Sequence, residues 1–112
     1  MDANEHDLAV ALISHMPLIL SQGLFSNIEN NNNAKILASS GFRDMTRLAM
    51  SNTQMAFDML NYNRENIDKA FDMLEISIKN LINDNKYSDI IQNISENRKK
   101  MYDQNGVNNI NF

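Results

Sequence analysis

No cysteine occurs among the 112 residues, which removes disulfides and thiolate-held metals from the ways this chain can be stabilised. Tryptophan is absent too, and the chain has one proline, three glycines, two valines and two threonines. Sheets draw on Val and Thr, and turn-rich β folds on Gly and Pro, so this scarcity leaves helices. Basic charge is also short. Ten Lys and Arg against fourteen Asp and Glu give a net charge of -4, too weak a positive field for nucleic acid as the main partner. The opening MDANEHD is acidic and lacks the basic-then-apolar order of a signal peptide. No apolar run is expected to reach a bilayer's width, so the reading is a soluble, cytoplasmic chain with no membrane contact.

The usual signatures of a self-contained active site are missing as well. Gly23, Gly41 and Gly106 lie too far apart for a phosphate-cradling loop, so no cofactor is expected in this chain alone. His6 and His15 are the only histidines; no HExxH-type metal site and no supported serine triad can be assembled from them.

What remains is a helical pattern with 43% hydrophobic residues and eight methionines. The expected fold is one all-α domain of about four to five helices over 1–103, followed by a frayed tail over 104–112. A first helix should start near Asn4 to Asp7 and carry Leu8, Leu12, His15 and Ile19 on one face. Pro17 removes the donor for the Ile13 carbonyl, so a kink or a break and restart is expected around His15 to Leu18. Gly23 or the asparagine run at 30 to 33 should end that element. A second helix is expected from Ala34 to Met50, then a third run capped at Ser51 and Asn52 with a bend near Asn61 to Asn63. Ile67, Phe71, Leu74, Ile78, Leu81 and Ile82 form the longest amphipathic stripe, which could pack inside one subunit or against a partner, the partner reading being slightly preferred. Asn83 to Lys86 should break it, with Ser88 capping a last helix that carries Ile90, Ile91, Ile94 and Met101. Arg98, Lys99 and Lys100 near its end fit favourable charge at a helix C-terminus.

Two polar features stand out. Ser14 and His15 lie beside Pro17, where a partly buried histidine could be satisfied by the freed carbonyl or could meet a ligand. The second feature is ASSGFRDMTR, residues 38 to 47. Arg43 and Arg47 at i, i+4 spacing repel on a helix, so something should offset them. Either Asp44 pairs with Arg47 on a solvated face, or the guanidinium binds a carboxylate while Ser39, Ser40 and Gly41 let a small ligand approach.

EHDLAVALISHMPLILSQGL at 5 to 24, followed by ASSGFRDMTRLAMSNTQMAFDMLNYNRENIDKAF at 38 to 71, resembles the C-terminal helical domain of the prephenate and arogenate dehydrogenases of tyrosine biosynthesis. The resemblance covers most of residues 4 to 84 and rests on HD, ISHxP and GFRDxTR at the right separation. It implies a helical dimerisation domain, intertwined with a second copy in a homodimer. The Rossmann domain that precedes it in the family, with the glycine-rich cofactor loop and the general-base histidine, is absent from these 112 residues. The implied reaction is an oxidative decarboxylation with NADP or NAD, the cofactor held mainly by that other domain, and the 112 residues alone should be inactive.

Carried over by position, Arg47 matches the family's substrate anchor, Ser40 and Gly41 the small residues beside the pocket, and His15 the first histidine of SHxPH. Arg43, Asp44 and Thr46 match supporting positions that shape the helix or hold Arg47. Leu18 stands where prephenate-type members carry a second histidine, and Ala56 where they carry tryptophan. Both departures resemble the cyanobacterial, arogenate-using type, for which NADP is the usual cofactor. A reading from another class is a free-standing helical interaction module with solvated arginines.

Overall fold

The computed structural model describes residues 1–104. All the regular structure among the described residues is helical. The chain divides into two compact units, Met1–Leu74 and the residues from Glu75 onward. Most of the tail expected from Gln104 lies outside the described residues.

The first unit opens with α1 (Ala3–Val10), a little earlier than the spacing predicts. Asp2 accounts for the difference. Its Oδ1 accepts the Glu5 amide at 2.8 Å while Glu5 Oε2 accepts the Asp2 amide at 3.3 Å, a reciprocal capping box that satisfies two otherwise orphaned donors. Ala11–His15 then forms a π-helical turn in which the Met16 amide reaches back to the Ala11 carbonyl. α2 (Met16–Ile28) follows with Pro17 in its first turn, where a missing donor costs least. The expected break is therefore realised as one widened turn, and a single helical rod runs over Ala3–Ile28.

That rod corrects one expectation. By length and composition it is apolar enough to cross a bilayer, with a mean hydropathy of 1.7 over its best window, because the residues interrupting the apolar run are uncharged. Here its apolar face serves the core. Ala11 and Met16 cluster with Ile67 and Ala70 of a later helix, and Ile19, Met59, Leu60 and Leu74 pack around them. Ala11 and Ala70 are fully buried in this cluster. Burying Ile67 contributes on the order of 1.5–3 kcal/mol.

The expected second helix over Ala34 to Met50 is not one element. It is α3 (Asn32–Leu37), an extended link at Ala38 and Ser39, α4 (Ser40–Met45), and a 3-10 turn over Arg47–Met50. Local hydrogen bonds decide this. Asn31 caps α3 through the Ala34 amide at 3.0 Å, and the Thr46 hydroxyl donates to the Phe42 carbonyl at 2.8 Å where the chain leaves α4. The single stripe through Leu37, Gly41, Met45 and Leu48 consequently does not exist, and Leu37 is exposed.

α5 (Thr53–Asn83) begins with Asn52 accepting the Met55 amide at 2.9 Å, as the capping pattern predicts. Its one non-helical residue is Asn63 (φ -119°, ψ 25°), within the expected bend. The second unit holds the end of α5 and α6 (Tyr87–Gln104). Asp84 Oδ1 accepts the Lys86 amide at 2.6 Å in the break between them. α6 thus starts at Tyr87, and Ser88 lies in its first turn instead of capping it. Arg98 stacks over the Tyr102 ring at 3.8 Å. None of the described residues of this unit is buried: Ile76, Ile78, Ile82, Ile91, Ile94 and Met101 all keep substantial exposure.

Candidate functional site

Arg47 opens the 3-10 turn, and that geometry sorts the site residues. A 3-10 turn repeats every three residues, so Arg47 and Met50 share one side while Leu48 and Ser51 share another. Two depressions meet at this wall. One, of about 580 Å³, is lined by Phe25, Arg43, Thr46, Arg47, Ala49 and Met50. The other, of about 430 Å³, lies against His15, Leu18, Leu48, Ser51, Met55 and Met59. Arg43 and Arg47 therefore face one depression and His15 the other. Ser40 and Gly41 line neither of them. Gly41 is an ordinary helical residue whose added Cβ would meet open space.

The arginine pair is offset in part as the spacing suggests. Arg47 Nη2 donates to Asp44 Oδ1 at 2.8 Å. Its side chain remains 67% exposed, so the pair is a hydrated one that orients the guanidinium and contributes little to stability. Thr46 does not touch Arg47 through its hydroxyl; it ends α4 and so turns Arg47 toward the depression. Phe25 of α2 and Phe42 of α4 pack with ring centroids 6.5 Å apart, which holds α4 against the long rod. Phe25, Ala49 and Met50 were not legible as wall residues, because only the break at Thr46 brings them beside the arginines.

His15 is partly buried and meets a partner the sequence pattern did not suggest. Asn63 Nδ2 lies 3.2 Å from His15 Nδ1 and donates to the Asp7 carbonyl at 2.9 Å. Where a carbonyl freed at Pro17 is expected to accept from the ring, the hydrogen bond found is instead with a side-chain amide nitrogen 48 residues away, which is a donor. The only available signal was an asparagine inside a predicted bend.

Desolvation by burial lowers the His15 pKa below 6.5, and the nearby Asp7 carboxylate opposes that shift. The unfolded chain therefore takes up the proton first as pH falls. The stability associated with neutral His15 is complete above pH 6.5 and is lost on acidification down through the lower folded value. Urea midpoints measured across this range should decline toward acid, and His15→Gln should flatten that part of the decline. An unchanged pH slope in the variant would contradict the assignment.

Comparisons with known proteins agree with this architecture. The family model described as "Prephenate dehydrogenase, dimerization domain" matches residues 2–101. A prephenate dehydrogenase of Bacillus subtilis (strain 168) is 37% identical over 71 residues, covering 60% of this chain and 19% of that protein. Among solved structures, Synechocystis arogenate dehydrogenase superposes with a TM-score of 0.77 at 27% identity, over 90% of this chain and 41% of that one. A putative prephenate dehydrogenase from Corynebacterium glutamicum shares the fold, with a TM-score of 0.76 at 22% identity, covering 95% of this chain and 35% of its own. The chain thus spans about a fifth of the curated relative and well under half of each solved one.

Proposed function

Since this chain belongs to the prephenate dehydrogenase dimerization-domain family, we propose that it serves as the C-terminal dimerisation and substrate-pocket portion of a cytoplasmic NAD(P)-dependent dehydrogenase of tyrosine biosynthesis. The reaction is oxidative decarboxylation of a cyclohexadienyl substrate, and the complete enzyme is a homodimer with an upstream Rossmann domain. The observation that carries the reading is Arg47, held by Asp44 at 2.8 Å on the rim of a depression that also receives Arg43. A forked, permanently charged donor of this kind suits a substrate carboxylate.

The residues described here do not fit the nicotinamide cofactor. Gly23 and Gly41 both lie inside helices, so among the described residues no glycine loop is available to wrap a pyrophosphate. The work of this chain is to bind and orient. Arg47 takes the carboxylate and Arg43 adds positive field on the same side, while Ser40 and Gly41 lie at the start of α4, outside that lining.

Arogenate with NADP is the favoured pair. Leu18 is buried and walls the His15 depression with an apolar surface, at the position where the prephenate-type pattern has a histidine. A site lacking that polar group discriminates against a substrate that needs it. The likeness to Synechocystis arogenate dehydrogenase supports the same choice. The test is turnover by the complete enzyme with arogenate and prephenate, each against NADP and NAD. Arogenate with NADP should give the highest kcat/KM. Preference for prephenate would overturn the substrate assignment, and no turnover with any pair would favour a non-catalytic interaction module.

A further inference from the structure

Asn63 stands where α5 leaves helical geometry, and only 4% of it is exposed. A buried amide left without partners costs about 1–3 kcal/mol, so its neighbours dictate which way it faces. Its Nδ2 points at the Asp7 main-chain carbonyl, 2.9 Å away, a group that can only accept. Its Oδ1 accepts from Asn66 Nδ2 at 2.8 Å. The amide orientation is thereby settled from both ends. The second hydrogen on Nδ2 then meets His15 Nδ1 at 3.2 Å. Two donors cannot share one hydrogen bond, so Nδ1 must be the bare nitrogen, and a neutral ring must carry its hydrogen on Nε2. Protonating Nδ1 would set hydrogen against hydrogen across the same gap.

We propose that Asn63 is a positioning residue that locks His15 in its Nε2–H tautomer, so that the ring offers a hydrogen-bond donor to an oxygen of the ligand in the depression beside Leu18, Leu48 and Ser51. The ligand is of one chemical class: a small cyclic acid of the kind proposed above, with an apolar ring and a carboxylate or hydroxyl oxygen that accepts from His15 Nε2. Leu18, Leu48, Met55 and Met59 supply apolar contact, and His15 with Ser14 and Ser51 supplies the polar contacts. The ligand half of the proposal rests on His15 facing the substrate of the proposed dehydrogenase. The tautomer half rests only on the hydrogen bonds of this chain.

The chain's two histidines make the test direct. In the nitrogen-15-labelled 112-residue chain, held at a pH where both rings are neutral, long-range proton–nitrogen spectra distinguish the tautomers. His15 should be in the Nε2–H form alone, and Asn63→Ala should release it into a mixture of both forms. A mixed or Nδ1–H population in the unsubstituted chain overturns the lock, and that spectrum decides the matter even where the variant fails to fold. An unshifted tautomer in a folded Asn63→Ala chain overturns it equally. In the complete enzyme, Asn63→Ala should raise KM about three- to tenfold, the value of one neutral hydrogen bond, with kcat kept within about twofold. A released tautomer with unchanged KM overturns the donor role toward substrate, so failure of the lock and failure of the functional reading are told apart.

Discussion

Replacing Arg47 with alanine should lower kcat/KM of the complete dehydrogenase by about 10²–10³-fold while leaving the helical fold intact. Two hydrogen bonds from a guanidinium to a carboxylate are each worth about 1.5–3 kcal/mol, and hydration of a rim position reduces their sum to the lower part of that range. Stability should hardly change, because the Asp44 pair is largely exposed and such pairs contribute about 0–1 kcal/mol. Arg47→Lys keeps the charge but loses the planar fork, so a loss of about tenfold is expected. Steady-state kinetics with circular dichroism as the folding control measure both quantities. A kcat/KM within threefold of the unsubstituted enzyme would remove Arg47 from the site and return the arginines to a solvated surface. Arg43→Ala provides the contrast: Arg43 shares the depression but Asp44 pairs with Arg47, so the loss on removing Arg43 should be smaller.

The second large effect concerns assembly. The unit from Glu75 onward buries none of its described side chains, although Ile78, Ile82, Ile91 and Ile94 punctuate its helices. Two helices without a sealed core are poorly stable by themselves, and the proposed homodimer supplies the missing cover. Ile78→Glu combined with Ile94→Glu should convert the dimer to monomer, raising its dissociation constant by at least about 10³-fold. Each isoleucine covered contributes about 1.5–3 kcal/mol, and a carboxylate left without a partner in an interface costs several more. Sedimentation equilibrium would read the change directly. A dimer whose dissociation constant moves less than tenfold would place the interface elsewhere on the molecule.

Much of the architecture was open to reading from local chemistry. Helix content followed from the shortage of Val, Thr, Gly and Pro, and the bend at Asn63 and the cap at Asn52 from the residues that compete for backbone groups. The error over Ala34 to Met50 has the same root as those successes. Periodicity alone joined α3 to the 3-10 turn, but the chain is extended at Ala38 and Ser39 and the Thr46 hydroxyl bonds the Phe42 carbonyl where α4 stops, and a weak apolar stripe does not override these local features. The apolar rod over Ala3–Ile28 escaped a search for unbroken apolar runs because Ser14, His15, Ser21 and Gln22 interrupt it, although its mean hydropathy stays high.

The candidate site divides along the same line. Composition and the proline by themselves determined an all-α domain and a disturbed turn before Pro17, and the GFRDxTR stretch offered an Asp44–Arg47 pair as one of two readings, since each depends on residues within a few positions of one another. Only the tertiary structure decided that Arg47 and His15 face different depressions, that Phe25 helps to wall one of them, and that Asn63 holds the histidine ring. Those facts depend on how α2, the 3-10 turn and α5 pack, and packing joins residues dozens of positions apart through buried area and hydrogen-bond satisfaction, neither of which leaves a periodic trace in a single sequence.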